Sequence, residues 1–185
     1  MRRRRIPEGV IKIHLPGVQQ KKWFSCGAAV IQTIMGYFGV GPIEQSEYVE
    51  ALGTNSSAGT PPNKIIKFAQ NHGLRVKTFK NMTLEQLKKN IDKCRPVLCI
   101  IQAWGDPQRY DRNLSGHYVI AVGYDEKYIY FEDPSIEAYR GYLTYSEFEY
   151  RWHDEDSSKK IYNRFGVVIW MSGSQHYLRR AIKIE

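Results

Sequence analysis

The sequence predicts an α+β fold in which an N-terminal helical half packs on a C-terminal antiparallel sheet. Apolar residues recur at helical spacing through much of the first half, whereas apolar runs typical of strands dominate the second half. The sequence contains no internal repeat and no low-complexity stretch. With 185 residues the chain can bury a substantial core, so we expect one domain over residues 1–185, with residues 1–8 as a flexible basic tail.

The first half is predicted to begin with an extended arm over residues 8–19. The apolar run that follows predicts a core helix that begins at Cys26 and ends at Gly39. Thr83 and Gln86 form a capping box typical of the start of a helix. The further elements expected in this half are helices over residues 44–52, 63–72 and 83–93 and a short strand over 74–79.

The second half is predicted to form most of the sheet. The apolar runs predict strands over residues 96–104, 118–124, 127–131 and 165–171. The second and third of these are expected to form a hairpin that turns at Asp125 and Glu126. A second capping box, Thr144 with Glu147, predicts a short helix that ends near Trp152.

The charge and the apolar pattern exclude several classes of protein. Half of the formal net charge of +8 comes from Arg2–Arg5, which we interpret as a solvated tail; acidic lipid, nucleic acid or an acidic protein are the alternative partners. No nucleic-acid-binding module is recognisable. No apolar run approaches the roughly 20 residues that cross a bilayer, and no secretory signal follows the arginines. We therefore expect a cytoplasmic location.

The three cysteines do not form a disulfide framework. Cys94 and Cys99 are interpreted as small apolar residues at the start of a buried strand and within it. No second pair of cysteines or histidines lies at a spacing typical of a metal site, so we expect no metal and no cofactor.

Cys26 is the candidate nucleophile. A cysteine at the first turn of a helix lies in the positive end of the macrodipole, which favours the thiolate. The small Gly27 is expected to leave room for a substrate carbonyl beside the sulfur. Taken alone, a buried structural cysteine that begins a helix fits the same residues.

His117 and Asp133 supply the partners that a thiol nucleophile needs. His117 begins an apolar strand after Gly116, so its ring can project from the strand edge into a cleft and transfer protons. Asp133 follows 16 residues later, across one hairpin, and can orient that ring. Asp125 is the competitor, but it is expected at the turn of the hairpin.

Gln20 is the candidate for a further donor. Its side-chain amide, together with the backbone N–H of Cys26, could hold the oxyanion of a tetrahedral intermediate. Gln19, one residue earlier, is the alternative candidate for this donor. Trp23 and Trp104 flank the nucleophile and the loop before His117, so we expect both to line the cleft along with Gly27 and Gly116.

These motifs resemble the bacteriocin-processing, double-glycine leader peptidase family of papain-like cysteine peptidases. The resemblance spans roughly residues 19–153 and rests on four combined motifs: the run Gln20–Gly27 with its apolar helix, Gly116–Val119, Gly123–Asp125, and Asp133–Pro134. It implies a papain-like fold in which Cys26 is the nucleophile, His117 the base, Asp133 the orienting carboxylate and Gln20 the oxyanion donor. It also implies cleavage of leader peptides after Gly-Gly, without a cofactor.

The sequence departs from the family in two ways. The family usually has Asp before the nucleophile, where this chain has Ser25, and residues 154–185 extend past the usual core. The family often forms the N-terminal domain of an ABC exporter, so the resemblance implies a peptide substrate and an exporter acting in trans. We expect a monomer.

Two other functions fit the same residues. An acyltransferase or deamidase would use the same triad and pass the acyl group to an acceptor other than water. A non-catalytic peptide-binding module of the same fold would keep the cleft without the chemistry. Product analysis and the reactivity of Cys26 distinguish these hypotheses from a peptidase.

Overall fold

The computed structural model of the protein describes residues 4–105, 116–138, 140–156 and 158–173. The five helices in these ranges are α1 (Cys26–Tyr37), α2 (Gln45–Leu52), α3 (Pro62–Asn71), α4 (Leu84–Asp92) and α5 (Tyr145–Arg151). The strands are β1 (Arg75–Phe79), β2 (Val97–Gln102), β3 (Gly116–Tyr124), β4 (Tyr128–Glu132), β5 (Gly141–Thr144), β6 (His153–Glu155), β7 (Ile161–Asn163) and β8 (Gly166–Trp170).

Six of the strands form one antiparallel sheet in the order β1-β8-β2-β3-β4-β5, and β6 and β7 form a separate hairpin. β8 lies between β1 and β2, in the interior of the sheet. β8 lies within residues 154–185, the part of the chain that we expected past the usual core of the family, and the sheet is continuous only through it. The predicted strand over residues 165–171 is confirmed as this element.

Helices cover both faces of the sheet. Alternate residues of β2, such as Leu98 and Ile100, face a cluster that includes buried residues of α1, α2 and α3. Their neighbours Val97 and Cys99 face a second cluster with α4 and α5. The predicted α+β class is confirmed, but α4 lies on the opposite face from the other helices of the first half.

The local signals at the helix ends operate as predicted. Thr83 and Thr144 each accept the backbone N–H three residues on, and the residue at that position reaches back, so both capping boxes are present. α1 ends just before Gly39, which has a positive φ of 67°. None of the helices among the described residues is long and apolar enough to span a bilayer.

The N-terminal segment packs on the sheet instead of leaving it. Arg4 donates to the Tyr130 hydroxyl at 3.1 Å, and its guanidinium lies 4.2 Å from the centroid of the Tyr128 ring. Ile11 pairs with Gly123, where a side chain would clash with the backbone of the arm. Arg4 therefore contacts the sheet within residues 1–8, the segment that we expected to be a flexible tail; residues 1–3 lie outside the described ranges.

Candidate active site

Cys26 is the first residue of α1, and Ser25 precedes it as the N-cap. The thiol therefore lies at the positive end of a 12-residue helix. Its side chain is 8% exposed and lines a cleft of about 410 Å³ that His117 also lines. The structure thus brings together the two groups that the sequence places 91 residues apart.

His117 connects the thiol to the sheet. Its Nε2 lies 2.7 Å from Asp133 Oδ1, and the Cys26 thiol lies close enough to the ring to favour its protonated form. The register that pairs Ile120 with Glu132 sets Asp133 beside the start of β3. The antiparallel hairpin therefore places the Asp133 carboxylate against Nε2 of the His117 ring.

The surroundings of His117 favour its charged form. Burial of the ring, which is 1% exposed, disfavours the imidazolium, but the hydrogen bonds and charges of Asp133 and Cys26 outweigh it and raise the pKa of His117 to about 9. Burial likewise opposes ionisation of Asp133, yet His117 and then Ser135 hold the pKa of that carboxyl below its ordinary value.

Ser135 is a residue of this site that the sequence analysis missed. Both its backbone N–H and its hydroxyl donate to Asp133 Oδ1, at 2.8 and 2.7 Å. The serine two residues after the aspartate is the local signal that predicts such a turn. Ser135 therefore holds the Asp133 carboxylate toward His117.

Gln20 lies close to the loop that carries Asp133 but does not line the cleft. Its backbone N–H donates to Pro134 O at 2.9 Å, which ties it to the loop that carries Asp133. Its side-chain Nε2 donates to the carbonyl oxygens of Lys22 and Trp23, both at 3.0 Å. Both amide protons are thus used within the loop before Cys26, and an oxyanion would have to displace one of these contacts.

Three of the four residues that we expected around the substrate line the cleft. Trp23 is 62% exposed, and Trp104 is 48% exposed with its ring centroid 4.8 Å from that of His117. Gly116 also lines the cleft. The reason given for Gly27 was wrong: a Cβ there would lie 2.5 Å from Thr60 Oγ1, so Gly27 makes room for Thr60 and not for a substrate carbonyl.

The buried side chain of Gln45 organises the loop that leads to Cys26. Its Oε1 accepts the backbone N–H of Lys21 at 2.8 Å and the Ser25 hydroxyl at 3.2 Å, and its Nε2 donates to Gln19 O at 2.8 Å. Ser25, which stands where the family usually has Asp, is itself fully buried. Nothing in the sequence pattern around Gln45 distinguished it from the solvated face of α2.

Solved structures of peptidase domains share this fold. The chain is similar to a double glycine motif protease from an AMS/PCAT transporter, solved with the leader peptide (18% identity, TM-score 0.60, covering 86% of this chain and 93% of that one). It is also similar to the peptidase domain of Streptococcus ComA, a bi-functional ABC transporter (18% identity, TM-score 0.63, covering 85% of this chain and 98% of that one). A third similar structure is that of a Bacillus anthracis protein described as a C39-like peptidase. Its identity is 16% and its TM-score is 0.69, and the match covers 88% of this chain and 98% of that one.

Comparison of the sequence, unlike these structural matches at low identity, tests membership of a family. An uncharacterised protein of Methanothermobacter thermautotrophicus is 30% identical over 119 residues, which is 64% of this chain and 71% of that protein. The Peptidase_C39 like family matches residues 12–160, a span that contains the thiol, the imidazole and the carboxylate described above. The chain therefore belongs to the Peptidase_C39 like family and has its papain-like fold.

Proposed function

We propose that the protein is a cysteine peptidase in which Cys26, His117 and Asp133 act together. The observation that carries the proposal is the cleft that a thiol at a helix N-terminus lines together with an imidazole held by a carboxylate. This combination matches the requirements of nucleophilic catalysis at an acyl group.

The reaction proceeds in two steps. The Cys26 thiolate attacks the carbonyl carbon of the scissile bond, the C–N bond breaks, and the His117 imidazolium gives its proton to the leaving amine. Water then attacks the thioester while His117 takes a proton from it, and the carboxylic acid leaves the sulfur. Asp133 stays ionised and orients the ring in both steps.

The oxyanion of each tetrahedral intermediate needs donors close to the sulfur. The backbone N–H of Cys26 is one proposed donor, and the Gln20 amide is the other once it releases a carbonyl of its own loop. The loss of one such donor typically costs about 100- to 1,000-fold in rate.

The proposed substrate is a leader peptide that is cleaved after Gly-Gly. Support comes from the related fold of a double glycine motif protease that was solved with its leader peptide. The cleft in this chain is bordered by Trp23, by Trp104 and by the segment from Ser56 to Asn63, an arrangement that suits an extended peptide with small residues at the thiol. A second, mostly apolar groove begins at Trp104 and Asp133 and offers room for the rest of the peptide.

An ABC exporter acting in trans is the proposed partner. Support comes from the fold shared with the ComA peptidase domain, which belongs to a bi-functional ABC transporter. We propose that the protein acts as a cytoplasmic monomer, delivering the cleaved peptide to that exporter.

Cleavage of synthetic leader peptides tests this function. We expect the wild-type protein to cut after Gly-Gly and Cys26→Ala to be inactive, because the two other cysteines, Cys94 and Cys99, do not line the cleft. Cys94→Ala is the matched control and should cleave at the wild-type rate, since Cys94 lies outside the cleft. Turnover by Cys26→Ala would contradict the proposal, as would products that carry an added amine in preference to water.

A further inference from the structure

Asp154 is a carboxylate in the catalytic cleft to which the mechanism assigns no role. It lies in β6, pairs with Tyr162 of β7 and lines the same cleft as Cys26 and His117. The β6–β7 hairpin therefore forms an acidic wall beside the thiol, in a chain whose formal net charge is +8.

The contacts of Asp154 fix its carboxylate next to the catalytic histidine. Gln102 Nε2 donates to Asp154 Oδ1 at 2.7 Å. A Cβ at Gly116 would lie 2.5 Å from Asp154 Oδ2, so the carboxylate occupies the space that a side chain immediately before His117 would take. Gly116 is thus the residue that admits Asp154 to the cleft.

The charge of Asp154 is incompletely compensated. Burial raises the pKa of Asp154 to about 6, against the opposing hydrogen bonds from the Glu155 backbone and Gln102. Among the described residues, no basic side chain forms an ion pair with it. Lys160 also lines the cleft, but its ammonium lies over the Tyr162 ring, 4.9 Å from the centroid.

The side-chain amide of Gln102, which donates to Asp154, has an oxygen that accepts no hydrogen bond from the described residues. Gln102 is 1% exposed, and its Oε1 has no hydrogen-bond partner in the part of the chain that the structure describes. Asp156 differs, because Ser158, the Lys160 backbone and the Tyr162 hydroxyl all donate to it. Acceptors therefore exceed donors at Asp154, and a positively charged group with several N–H donors is the chemistry that corrects the imbalance.

We infer that Asp154 determines specificity by binding a lysine or arginine side chain of the peptide close to the scissile bond. This inference rests on the proposed peptidase function and adds a charge requirement to it. A cationic side chain that enters the cleft pairs with Asp154 while the thiol attacks a neighbouring carbonyl.

Thiol reagents of different charge test Asp154 without a peptide. The ratio of the rates at which cationic 2-aminoethyl methanethiosulfonate and neutral methyl methanethiosulfonate modify Cys26 should fall about three- to tenfold in Asp154→Asn. Asparagine keeps the oxygen that accepts from Gln102. The matched control is Glu126→Gln, which removes the same charge at the exposed turn beyond the far end of β3 and should keep the wild-type ratio. An equal ratio in wild type and Asp154→Asn would overturn the inference.

A peptide scan tests the same residue in the reaction. Lysine and norleucine are compared at each of the three positions on either side of the cleavage site, except the two positions of the Gly-Gly pair. At one position or more, lysine should be preferred by about three- to tenfold, and Asp154→Asn should abolish that preference. The absence of a lysine preference in the wild-type protein would overturn the inference. If the wild-type protein cleaved no peptide, the peptidase proposal would fail, while the reagent ratio would still decide whether Asp154 attracts cations to Cys26.

Discussion

The Nε2 atom of His117 lies 2.7 Å from Oδ1 of Asp133, although 16 residues separate the two in the chain. This hydrogen bond holds the imidazole in the cleft that Cys26 also lines. The contact depends on the β3–β4 register, and most of the chemistry proposed for the protein depends on the contact.

The pH dependence of cleavage reports on this pair. Because Asp133 and Cys26 raise the pKa of His117 from 6.5 to about 9, the imidazolium persists through neutral pH and is lost as pH rises through about 9. We therefore expect kcat/KM to fall as the pH rises through about 9, which forms the alkaline limb of the pH profile. The same linkage makes the contribution of His117 to stability full below about pH 6.5 and absent above about pH 9.

Replacing Asp133 with Asn should move the alkaline limb to lower pH. The asparagine oxygen can still accept from Nε2 and orient the ring, but the negative charge that stabilises the imidazolium is gone. Asp125→Asn is the control, since Asp125 lies at the β3–β4 turn and binds Arg4 and Tyr130. A limb that stays in place in Asp133→Asn would show that the carboxylate does not set the protonation of His117.

Gln20→Ala should lower kcat about 100-fold with little change in KM, because an oxyanion donor acts only on the transition state. Steady-state kinetics with the leader peptide measures this. Gln19→Ala is the matched control, because the Gln19 side chain is exposed and only its backbone carbonyl is used by Gln45. If the two variants had the same kcat, Gln20 would only tie the loop to the carbonyls of Lys22 and Trp23.

Gly27→Ala should destabilise the protein by about 1 to 3 kcal/mol, because the added methyl overlaps the Thr60 side chain. Urea denaturation gives the free energy of unfolding. Gly36→Ala in the same helix is the comparison: its nearest neighbour would be Pro16 Cγ at 3.6 Å, so the gain in helix propensity should stabilise the protein by up to about 1 kcal/mol. Equal effects at both positions would refute the role given to Thr60.

Gln45→Ala should cost about 2 to 3 kcal/mol in the free energy of unfolding, because it removes the partners of Ser25 and of the backbone at Gln19 and Lys21. Gln70→Ala, on the exposed face of α3, should change stability by less than about 0.5 kcal/mol. Chemical denaturation of the two variants under identical conditions makes the comparison. A Gln45→Ala protein as stable as wild type would mean that water replaces these hydrogen bonds without loss.

The parts of the site that the sequence predicts are those set by local rules. α1 is delimited by the apolar run that follows Cys26 and by Gly39. The turn at Asp125 sets where β4 begins, and Asp133 follows the last residue of that strand. The predicted hairpin places Asp133 near His117, but the exact pairing also depends on the irregular register between Ala121 and Gly123, which the sequence does not predict. The papain-like fold follows from the resemblance of these motifs to the family and is confirmed by the structure.

The parts that the sequence does not predict depend on contacts between distant residues in segments without periodicity. Asp154 meets Gln102 across 52 residues, and its three-residue strand shows no apolar alternation. Gln45 binds a loop more than 20 residues away, so the sequence of its own helix does not predict its role. The burial of Gly27 against Thr60 likewise depends on a loop that only the tertiary fold brings to α1.

The rate at which iodoacetamide alkylates Cys26 at neutral pH tests the central claim most directly. Cys94, which is partly exposed and lies outside the cleft, is the comparison thiol in the same chain, and peptide mapping resolves the two. The account predicts that Cys26 reacts at least about ten times faster than Cys94 and that His117→Ala removes this advantage. Equal rates for the two thiols, or a Cys26 rate that does not change in His117→Ala, would contradict it.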